Sequence, residues 1–328
     1  CFILENSSII QNNSKIINNL DVNLCFAFLA KHNNYVKPII VNDKILKIEN
    51  SRHPVIEKIL PDNKKFITND LLLSSDKSQI HIITGPNMSG KSTYLRQIGL
   101  IIIMAQMGSY VPASYAKIGL VDKLFTRVGA SDNLAEGEST FMVEMIEAAN
   151  ILNNASKKSL ILLDEIGRGT STYDGVSIAW GIVEYLHNNK KIQSRTIFAT
   201  HYHELTELEN QLERVFNFNI SIKEVEEQII FLRKIKEGAS DRSYGINVAE
   251  MAGIPKSIIG RSYQILDQLV EKKSLNTKLL KTNKNNNFSK DNLINQKLIK
   301  EIKDINPDQL TPIEALEFIY KIKKNIEK

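Results

Sequence analysis

Apolar and polar residues are arranged in two different periodic patterns along this chain, and together these patterns indicate an α/β protein. Three short runs, at 80–84, 159–163 and 195–200, are centred on consecutive apolar residues. Runs of this length are typical of strands that are buried on both faces of a parallel sheet. We therefore predict a mixed, mainly parallel sheet at the centre of the molecule.

Other segments alternate apolar and polar residues one by one, as strands with one solvated face do. Residues 117–128, 215–222 and 228–235 show this pattern and predict antiparallel strands that flank the parallel core. The last two should form a hairpin. Shorter strands are predicted at 36–40 and 45–48.

Apolar residues three or four positions apart indicate helices elsewhere. Such a stripe runs through residues 1–34, and the apolar residues of 98–105 fit the buried face of a helix that begins near Lys91. Further helices are predicted at 140–155, from Asp174, at 247–252 and at 255–272. The C-terminal elements should therefore be helical.

Composition limits the class of protein without identifying it. A chain of 328 residues can bury a full α/β core and carry smaller units besides, and 42% apolar residues exclude global disorder. The charge of +5 is a modest basic excess, compatible with nucleic acid. Two cysteines are too few for a disulfide scaffold and predict a reducing, cytoplasmic location. The chain has no secretory signal, and its longest apolar run is too short to cross a bilayer. Because it begins with Cys1 rather than Met, we expect it to be a fragment of a longer protein.

The segment Gly85-Pro-Asn-Met-Ser-Gly-Lys-Ser92 directly follows the first apolar run and precedes a helix. In this context the pattern predicts a phosphate-binding loop, because the backbone N–H groups of such a turn converge on one anion-sized space. Lys91 can reach the β- and γ-phosphates of a nucleotide, and the Ser92 hydroxyl can bind Mg²⁺. The residues predicted to bind the nucleotide are Gly85, Pro86, Asn87, Met88, Ser89, Gly90, Lys91, Ser92 and Thr93. The alternative is a glycine turn with an ordinary surface lysine.

Asp164 and Glu165 end the second apolar run, which places two acids at the carboxyl end of a buried strand. Behind a phosphate-binding loop, this arrangement predicts that Asp164 binds Mg²⁺ opposite Ser92 and that Glu165 polarises the attacking water. The third run delivers His201 to the same sheet edge, where a sensor of the γ-phosphate would lie. A surface histidine in a loop is the alternative.

Four segments give the chain a resemblance to the ATPase domain of the MutS family of DNA mismatch-recognition proteins. They are Thr84-Gly-Pro-Asn-Met-Ser-Gly-Lys-Ser-Thr-Tyr-Leu-Arg-Gln97, Glu138-Ser-Thr-Phe-Met-Val-Glu-Met145, Asp164-Glu-Ile-Gly-Arg-Gly-Thr-Ser-Thr172 and Phe198-Ala-Thr-His-Tyr-His-Glu-Leu205. The resemblance implies a P-loop ATPase of the ABC type that binds ATP and Mg²⁺ in composite sites between the ATPase domains of a head-to-tail homodimer. Gly137–Thr140 would be the signature loop, with Ser139 contacting the partner's nucleotide, whereas a plain helix N-cap is the alternative.

The same resemblance implies how the chain is organised. Residues 1–34 would end the lever that leads to a DNA clamp, 35–245 would form the ATPase domain, and 246–273 a helix–turn–helix dimerisation element. A linker at 274–292 would connect to a small helical oligomerisation module at 293–328, which could join dimers into tetramers. The segment 167–175 resembles the loop that communicates between the two nucleotide sites.

Mismatched duplex DNA, contacted by regions outside this chain, and a downstream factor of the MutL type are the other implied partners. The location would be cytoplasmic and associated with the nucleoid, with no membrane contact. Two alternatives remain open, namely a MutS paralogue that acts outside mismatch repair and an oligomerising fragment with an inert ATP site. A transporter ATPase fits less well, because the signature differs and nothing couples the chain to a membrane.

Overall fold

The computed structural model describes residues 2–61, 63–86, 89–129, 139–225, 228–239 and 244–269, together with Thr311. These residues belong to two compact units, Cys1–Asn247 and Val248–Lys328. The predicted linker, the predicted C-terminal module apart from Thr311, and three site residues, Asn87, Met88 and Gly137, lie outside the described residues. Within the described residues, no helix has both the length and the apolar character that a membrane span requires.

The strands belong to two sheets. In chain order they are β1 (Ile39–Val41), β2 (Ile45–Ser51), β3 (Asn69–Ser74), β4 (Ile80–Thr84), β5 (Tyr115–Gly119), β6 (Leu124–Arg127), β7 (Leu160–Asp164), β8 (Arg195–Thr200), β9 (Val215–Val225) and β10 (Gln228–Glu237). The central sheet has the order β10-β9-β4-β8-β7-β6, and only β10 runs antiparallel to its neighbour. The outer sheet has the order β1-β5-β2-β3.

The helices are α1 (Phe2–Glu5), α2 (Ser7–Asn33), α3 (Ile56–Ile59), α4 (Lys91–Gln106), α5 (Thr140–Asn154), α6 (Thr172–Asn188) and α7 (Gly245–Met251). A 3₁₀ helix covers His203–Asn210, and a further helix covers 256–269, up to the edge of the described residues. The predicted helices at 1–34, 140–155 and 247–252 are therefore confirmed in kind, with bounds that differ by a few residues.

The central strands are buried on both faces because side chains along a strand point alternately to opposite sides. Along β7, Leu160 and Leu162 pack with α4 and the outer sheet, whereas Ile161 and Leu163 pack with α5 and α6. All residues of β4 and β8 are buried. The three apolar runs predicted a parallel core, and this prediction is confirmed.

One expectation about the flanking strands is wrong in part. Residues 117–128 do not form antiparallel strands throughout, because β6 joins the central sheet parallel to β7. Its companion β5 lies in the outer sheet, antiparallel to β2 and parallel to β1. Alternation shows only that one face of a strand is buried. It does not show which of the two sheets the strand joins, or whether it runs parallel or antiparallel to its neighbour. The hairpin of β9 and β10 is confirmed.

Candidate active site

The three strands that precede the predicted site residues are direct neighbours in the central sheet. Strand β4 pairs with β8, with Thr84 opposite Thr200, and β8 pairs with β7, with Ala199 opposite Asp164. Because all three run in the same direction, their carboxyl ends meet at one edge, where ligands bind in open α/β sheets. The sheet therefore brings the loop after β4, the acids after β7 and His201 to the same side of the molecule.

The loop between β4 and α4 has the backbone of a phosphate cradle. Gly85 and Gly90 both adopt positive φ angles, 147° and 108°, and Gly90 caps α4. The angle at Gly90 lies in a region that a residue with a Cβ enters only with strain. The start of α4 thus points its free N–H groups toward the space in front of the loop, as anion sites at helix N-termini do.

Lys91 lies inside this loop with 4% of its surface exposed. Its Nζ donates to the carbonyl oxygens of Gly85 at 2.6 Å and Pro86 at 3.1 Å, and it lies 3.9 Å from Glu165 Oε1. Burial lowers the pKa of Lys91, while the charges of Glu165 and Asp164 act in the opposite direction. A buried cation is therefore held between the loop and the two acids.

Asp164 and Ser92 lie together on the other side of Lys91. Burial raises the pKa of Asp164, and a hydrogen bond with Ser92 opposes that shift. Asp164 Oδ1 is buried and has no hydrogen-bond partner among the described residues. A carboxylate oxygen without a partner beside a hydroxyl is a suitable pair of ligands for Mg²⁺, which prefers oxygen donors and takes its remaining ligands from phosphate and water. Within the described residues no group of three His, Cys, Asp or Glu side chains could hold a metal by itself.

Glu165 adopts a left-handed backbone conformation, with φ at 54°, that few residues other than glycine tolerate. Its backbone N–H donates to Ala199 O at 2.9 Å, which fixes this turn to the neighbouring strand β8. Its carboxylate accepts from Arg168 Nη1 at 2.7 Å. Strain of this kind persists only where the surroundings impose it, and it occurs often at functional sites.

His201 lies near this group without joining it directly. Its ring stacks on Tyr202 with centroids 4.1 Å apart, and loss of water contact lowers its pKa, an effect that the charge of Glu165 opposes. His201 is therefore within electrostatic range of Glu165. It is not one of the described residues that line the cleft.

A cleft of about 610 Å³ opens in front of the loop. Its described lining residues are Pro86, Gly90, Lys91, Ser92, Thr93, Arg127, Gly129, Thr140, Glu144, Asp164, Glu165, Arg168 and Gly169. Of the predicted nucleotide-binding residues, Gly85 and Ser89 are buried beneath the cleft and do not line it. The structure thus gathers Lys91, Ser92, Thr93, Asp164 and Glu165 around one space.

Ser139 has the geometry of a helix N-cap. Its side chain is exposed, and its Oγ accepts from the backbone N–H of Met142 at 3.1 Å, at the start of α5. Within one chain, the N-cap alternative accounts for this serine. Contact with a partner's nucleotide stays a prediction.

Four residues that sequence reasoning did not assign also belong to this region. Arg127 and Glu144 line the cleft from β6 and α5, and Arg168 pairs with Glu165. Arg233, at a bulge in β10, lies close to Gly90, because a Cβ added to Gly90 would be 3.9 Å from Arg233 Cγ. Arg168 stands inside a quoted segment, so its position next to the acids was a usable signal. Glu144 also stands inside one of these segments, whereas Arg127 and Arg233 reach the site only through the fold.

The fold and the cleft together define an α/β domain of the P-loop nucleotide-binding class. Two family models match the chain: MutS domain V at residues 81–270 and the C-terminal region of the DNA mismatch repair protein MutS at residues 294–325. The chain therefore belongs to the MutS family of DNA mismatch repair proteins. The predicted resemblance and the predicted fold class are confirmed.

Curated relatives agree with this assignment. The chain is 54% identical to the DNA mismatch repair protein MutS of Bacteroides thetaiotaomicron over 325 residues, which cover 96% of the chain and 38% of that protein. It is 52% identical to the protein of the same name from Caldanaerobacter subterraneus over 318 residues, 96% of the chain and 36% of that protein. For the Clostridium botulinum protein, 54% identity extends over 277 residues, 84% of the chain and 30% of that protein. The chain thus spans 30–38% of the length of these relatives.

Proposed function

We propose that this chain is the part of a MutS-type mismatch repair protein that binds ATP and hydrolyses it with Mg²⁺. The proposal rests on one observation: a buried cation, Lys91, and a half-buried carboxylate, Asp164, whose Oδ1 atom is buried, face one cleft at the N-terminus of α4. Opposite charges in a cleft at a helix N-terminus suit a polyphosphate with its metal ion. Turnover would drive the switching of a DNA clamp.

Each residue then has a defined task. Lys91 and the N–H groups of the loop bind the phosphates, and Ser92 and Asp164 hold Mg²⁺, which when bound neutralises charge on the β- and γ-phosphates. Glu165 positions the attacking water and accepts its proton, and His201 senses the γ-phosphate from the neighbouring strand end. Catalysis by such a site is mainly positioning and electrostatic stabilisation.

A composite site between two protomers accounts for the exposed start of α5. Ser139 and Thr140 are exposed, and a helix of 15 residues has a full dipole at its N-terminus. In a head-to-tail homodimer this end would meet the partner's γ-phosphate. Residues 246–273 would support the dimer, with 274–292 as a linker and 293–328 as the module that joins dimers.

The remaining parts of the proposal concern the longer protein. Mismatched duplex DNA would be contacted by segments other than those of this chain, with 1–34 as the end of the connecting lever. A MutL-type factor would act downstream, and a DNA substrate implies a cytoplasmic, nucleoid-associated location. Membership of the MutS family, with relatives named DNA mismatch repair protein MutS, supports these parts of the proposal.

Steady-state phosphate release with ATP and Mg²⁺ tests the proposal. We expect Glu165→Gln to lower kcat by about 100-fold, within the range for loss of a general base, while ATP binding is retained. Light scattering should then show an ATP-dependent dimer that persists in Glu165→Gln. The matched control is Glu49→Gln, because the Glu49 carboxylate is 44% exposed on β2 and pairs with Lys47 at 2.8 Å, away from the cleft in front of α4. Equal turnover in the unchanged chain and in Glu165→Gln would contradict the assignment, and no turnover in either would indicate an inert site.

A further inference from the structure

The peptide unit of Gly167 is held from two sides, two residues after Glu165. Its N–H donates to Glu144 Oε1 at 2.5 Å, and its carbonyl oxygen accepts from Tyr202 Oη at 2.8 Å. Glu144 belongs to α5, and Tyr202 follows His201 at the end of β8. The turn that carries Glu165 is thus fixed to two other elements through one peptide.

Glu144 is an unusual residue to place at this position. Its side chain is 7% exposed, and a carboxylate that loses its water is costly unless bonds replace that water. The ion pair with Arg127 is long, with Nη2 4.0 Å from Glu144 Oε2, whereas Arg127 Nε lies 2.8 Å from Glu147 Oε2. The short contact of Glu144 is therefore the one to the Gly167 N–H.

Helix α5 connects this contact to its own exposed N-terminus. Ser139 precedes Glu144 by five residues, or about 7.5 Å along a helix axis. Ala148 and Ile151, further along α5, pack into the core beneath the sheet. A displacement at the start of a helix held in this way is transmitted to Glu144 and from there to Gly167.

We propose that Glu144 is a positioning residue that couples the two nucleotide sites of the dimer. The inference rests on the proposed function, in which Ser139 contacts the nucleotide bound by the partner. When that nucleotide anchors α5, Glu144 fixes Gly167 and with it the orientation of Glu165 in its own protomer. Occupancy of one site is thereby sensed at the catalytic carboxylate of the other.

Two conservative substitutions separate this role from simple charge balance. Glu144→Gln keeps the reach and an oxygen acceptor for the Gly167 N–H but removes the charge beside Arg127. Glu144→Asp keeps the charge but withdraws the carboxylate by about 1.5 Å, one carbon–carbon bond, from Gly167. If Glu144 couples the sites through Gly167, coupling is retained in Glu144→Gln and lost in Glu144→Asp. If Glu144 only balances the charge of Arg127, coupling is lost in Glu144→Gln and retained in Glu144→Asp.

The coupling is measured in dimers assembled from two differently tagged copies of the chain, so that mixed dimers can be purified. One copy keeps Lys91 and carries the change at Glu144, while the other carries Lys91→Ala, so its own site stays empty. In the mixed dimer, α5 of the first copy faces the empty nucleotide site of its partner. In a homodimer of the first copy, α5 faces a partner site that is filled with ATP. The ratio of ATP turnover per intact site in the two dimers reports how one site responds to the other.

With Glu144 in place we expect this ratio to depart from one by about fivefold or more, a typical lower bound for coupled sites. Glu144→Gln should keep a ratio of that size, and Glu144→Asp should bring it within about twofold of one, close to no coupling. Glu147→Gln is the matched control, because Glu147 lies on the same helix beside the same arginine and should leave the ratio unchanged. A ratio that is retained in Glu144→Asp, or lost in Glu144→Gln, overturns the proposal.

Two further measurements keep the outcome unambiguous. If circular dichroism shows that Glu144→Asp does not fold, Tyr202→Phe replaces it, because it releases the other side of the same peptide; an unchanged ratio there would equally overturn the proposal. Ser139→Ala placed only in the copy with Lys91→Ala tests the composite site itself. If this change leaves turnover at the intact site unaffected, the composite site of the proposed function is contradicted. If turnover falls but the ratio between the two dimers is retained in Glu144→Asp, only the proposed role of Glu144 is contradicted.

Discussion

Two clefts of nearly equal size open in the first unit, and they differ in chemistry rather than in volume. The one described above measures about 610 Å³ and lies at the carboxyl edge of the parallel strands. The other measures about 640 Å³ and lies between the outer sheet and the hairpin, with Phe216, Phe218 and Ile235 among its lining residues. Size alone would not tell which of them binds a ligand.

The polar groups of the second cleft satisfy one another. His81 Nε2 lies 2.8 Å from Ser78 Oγ, and the Tyr94 hydroxyl donates to Asp70 O at 2.9 Å. In the first cleft, by contrast, Asp164 Oδ1 has no hydrogen-bond partner among the described residues, and Lys91 and Asp164 bring opposite charges to one space. Buried charges that are only partly compensated indicate a functional site, because a ligand can supply the missing interactions.

Removal of the buried cation tests this contrast most strongly. Lys91→Ala should lower kcat/KM for ATP by about 100-fold or more, because a fixed cation at the developing phosphate charge is lost. Lys77→Ala is the control, since Lys77 lies exposed at the rim of the second cleft. Its effect should stay below about twofold, as for surface substitutions away from a site. Similar losses in phosphate-release assays of both variants would remove the distinction between the clefts.

Close backbone packing beneath the first cleft offers a second test. Helix α6 approaches the turn at Gly167 so closely that a Cβ on Gly175 would lie 2.2 Å from Tyr202 Oη and 2.3 Å from Gly167 O. Gly175→Ala should therefore reduce the free energy of unfolding by about 2 kcal/mol, as overpacking does, and should also slow ATP turnover, since the same turn carries Glu165.

Gly181 lies on the same helix, with nothing within 4 Å of an added Cβ. Gly181→Ala should raise the free energy of unfolding by about 0.5–1 kcal/mol through helix propensity alone. Urea unfolding followed by circular dichroism measures both changes. If Gly175→Ala raises the free energy of unfolding as Gly181→Ala does, the close approach at Gly175 does not constrain the site.

The sequence predicted the central fold well because its information there is local. Strands buried on both faces are rich in consecutive apolar residues, so three short runs sufficed to locate β4, β7 and β8. Strand β6 was assigned wrongly, since its side chains face a core shared by two sheets. A partly buried strand joins one sheet or the other according to its packing with residues distant in the sequence. The alternation of apolar and polar residues carries no information about that packing.

The candidate site divides in the same way. Lys91, Ser92, Asp164 and Glu165 stand in contiguous segments whose spacing alone predicts their chemistry. Arg127, Glu144 and Arg233 come from three other elements and reach the cleft or its loop only when the sheet assembles. Each would pass for a charged residue at the end of a strand or on a helix face. Their participation is a property of the tertiary structure.

The second cleft makes its own prediction, which concerns stability and not activity. His81 is buried against Phe218, with ring centroids 4.3 Å apart, and burial lowers its pKa to about 3. Between about pH 6.5, where an unfolded histidine titrates, and pH 3, the unfolded chain binds a proton that the folded chain does not. The stability that comes from keeping His81 neutral is therefore complete above pH 6.5 and decreases as the pH falls. Its slope approaches about 1.4 kcal/mol per pH unit.

Substitution of His81 by glutamine should remove that slope, because the amide stays neutral and can still bond to Ser78. Urea unfolding between pH 7 and 5, followed by the fluorescence of the single tryptophan, Trp180, gives the free energy of unfolding at each pH. His32→Gln on α2 is the control, since His32 is exposed in the folded chain and should leave the slope unchanged. Because the slope is compared within each variant, any constant loss of packing at His81 cancels. An equally steep pH dependence in His81→Gln would mean that the second cleft admits water and protons, and that it resembles the first cleft more closely than its internal hydrogen bonds indicate.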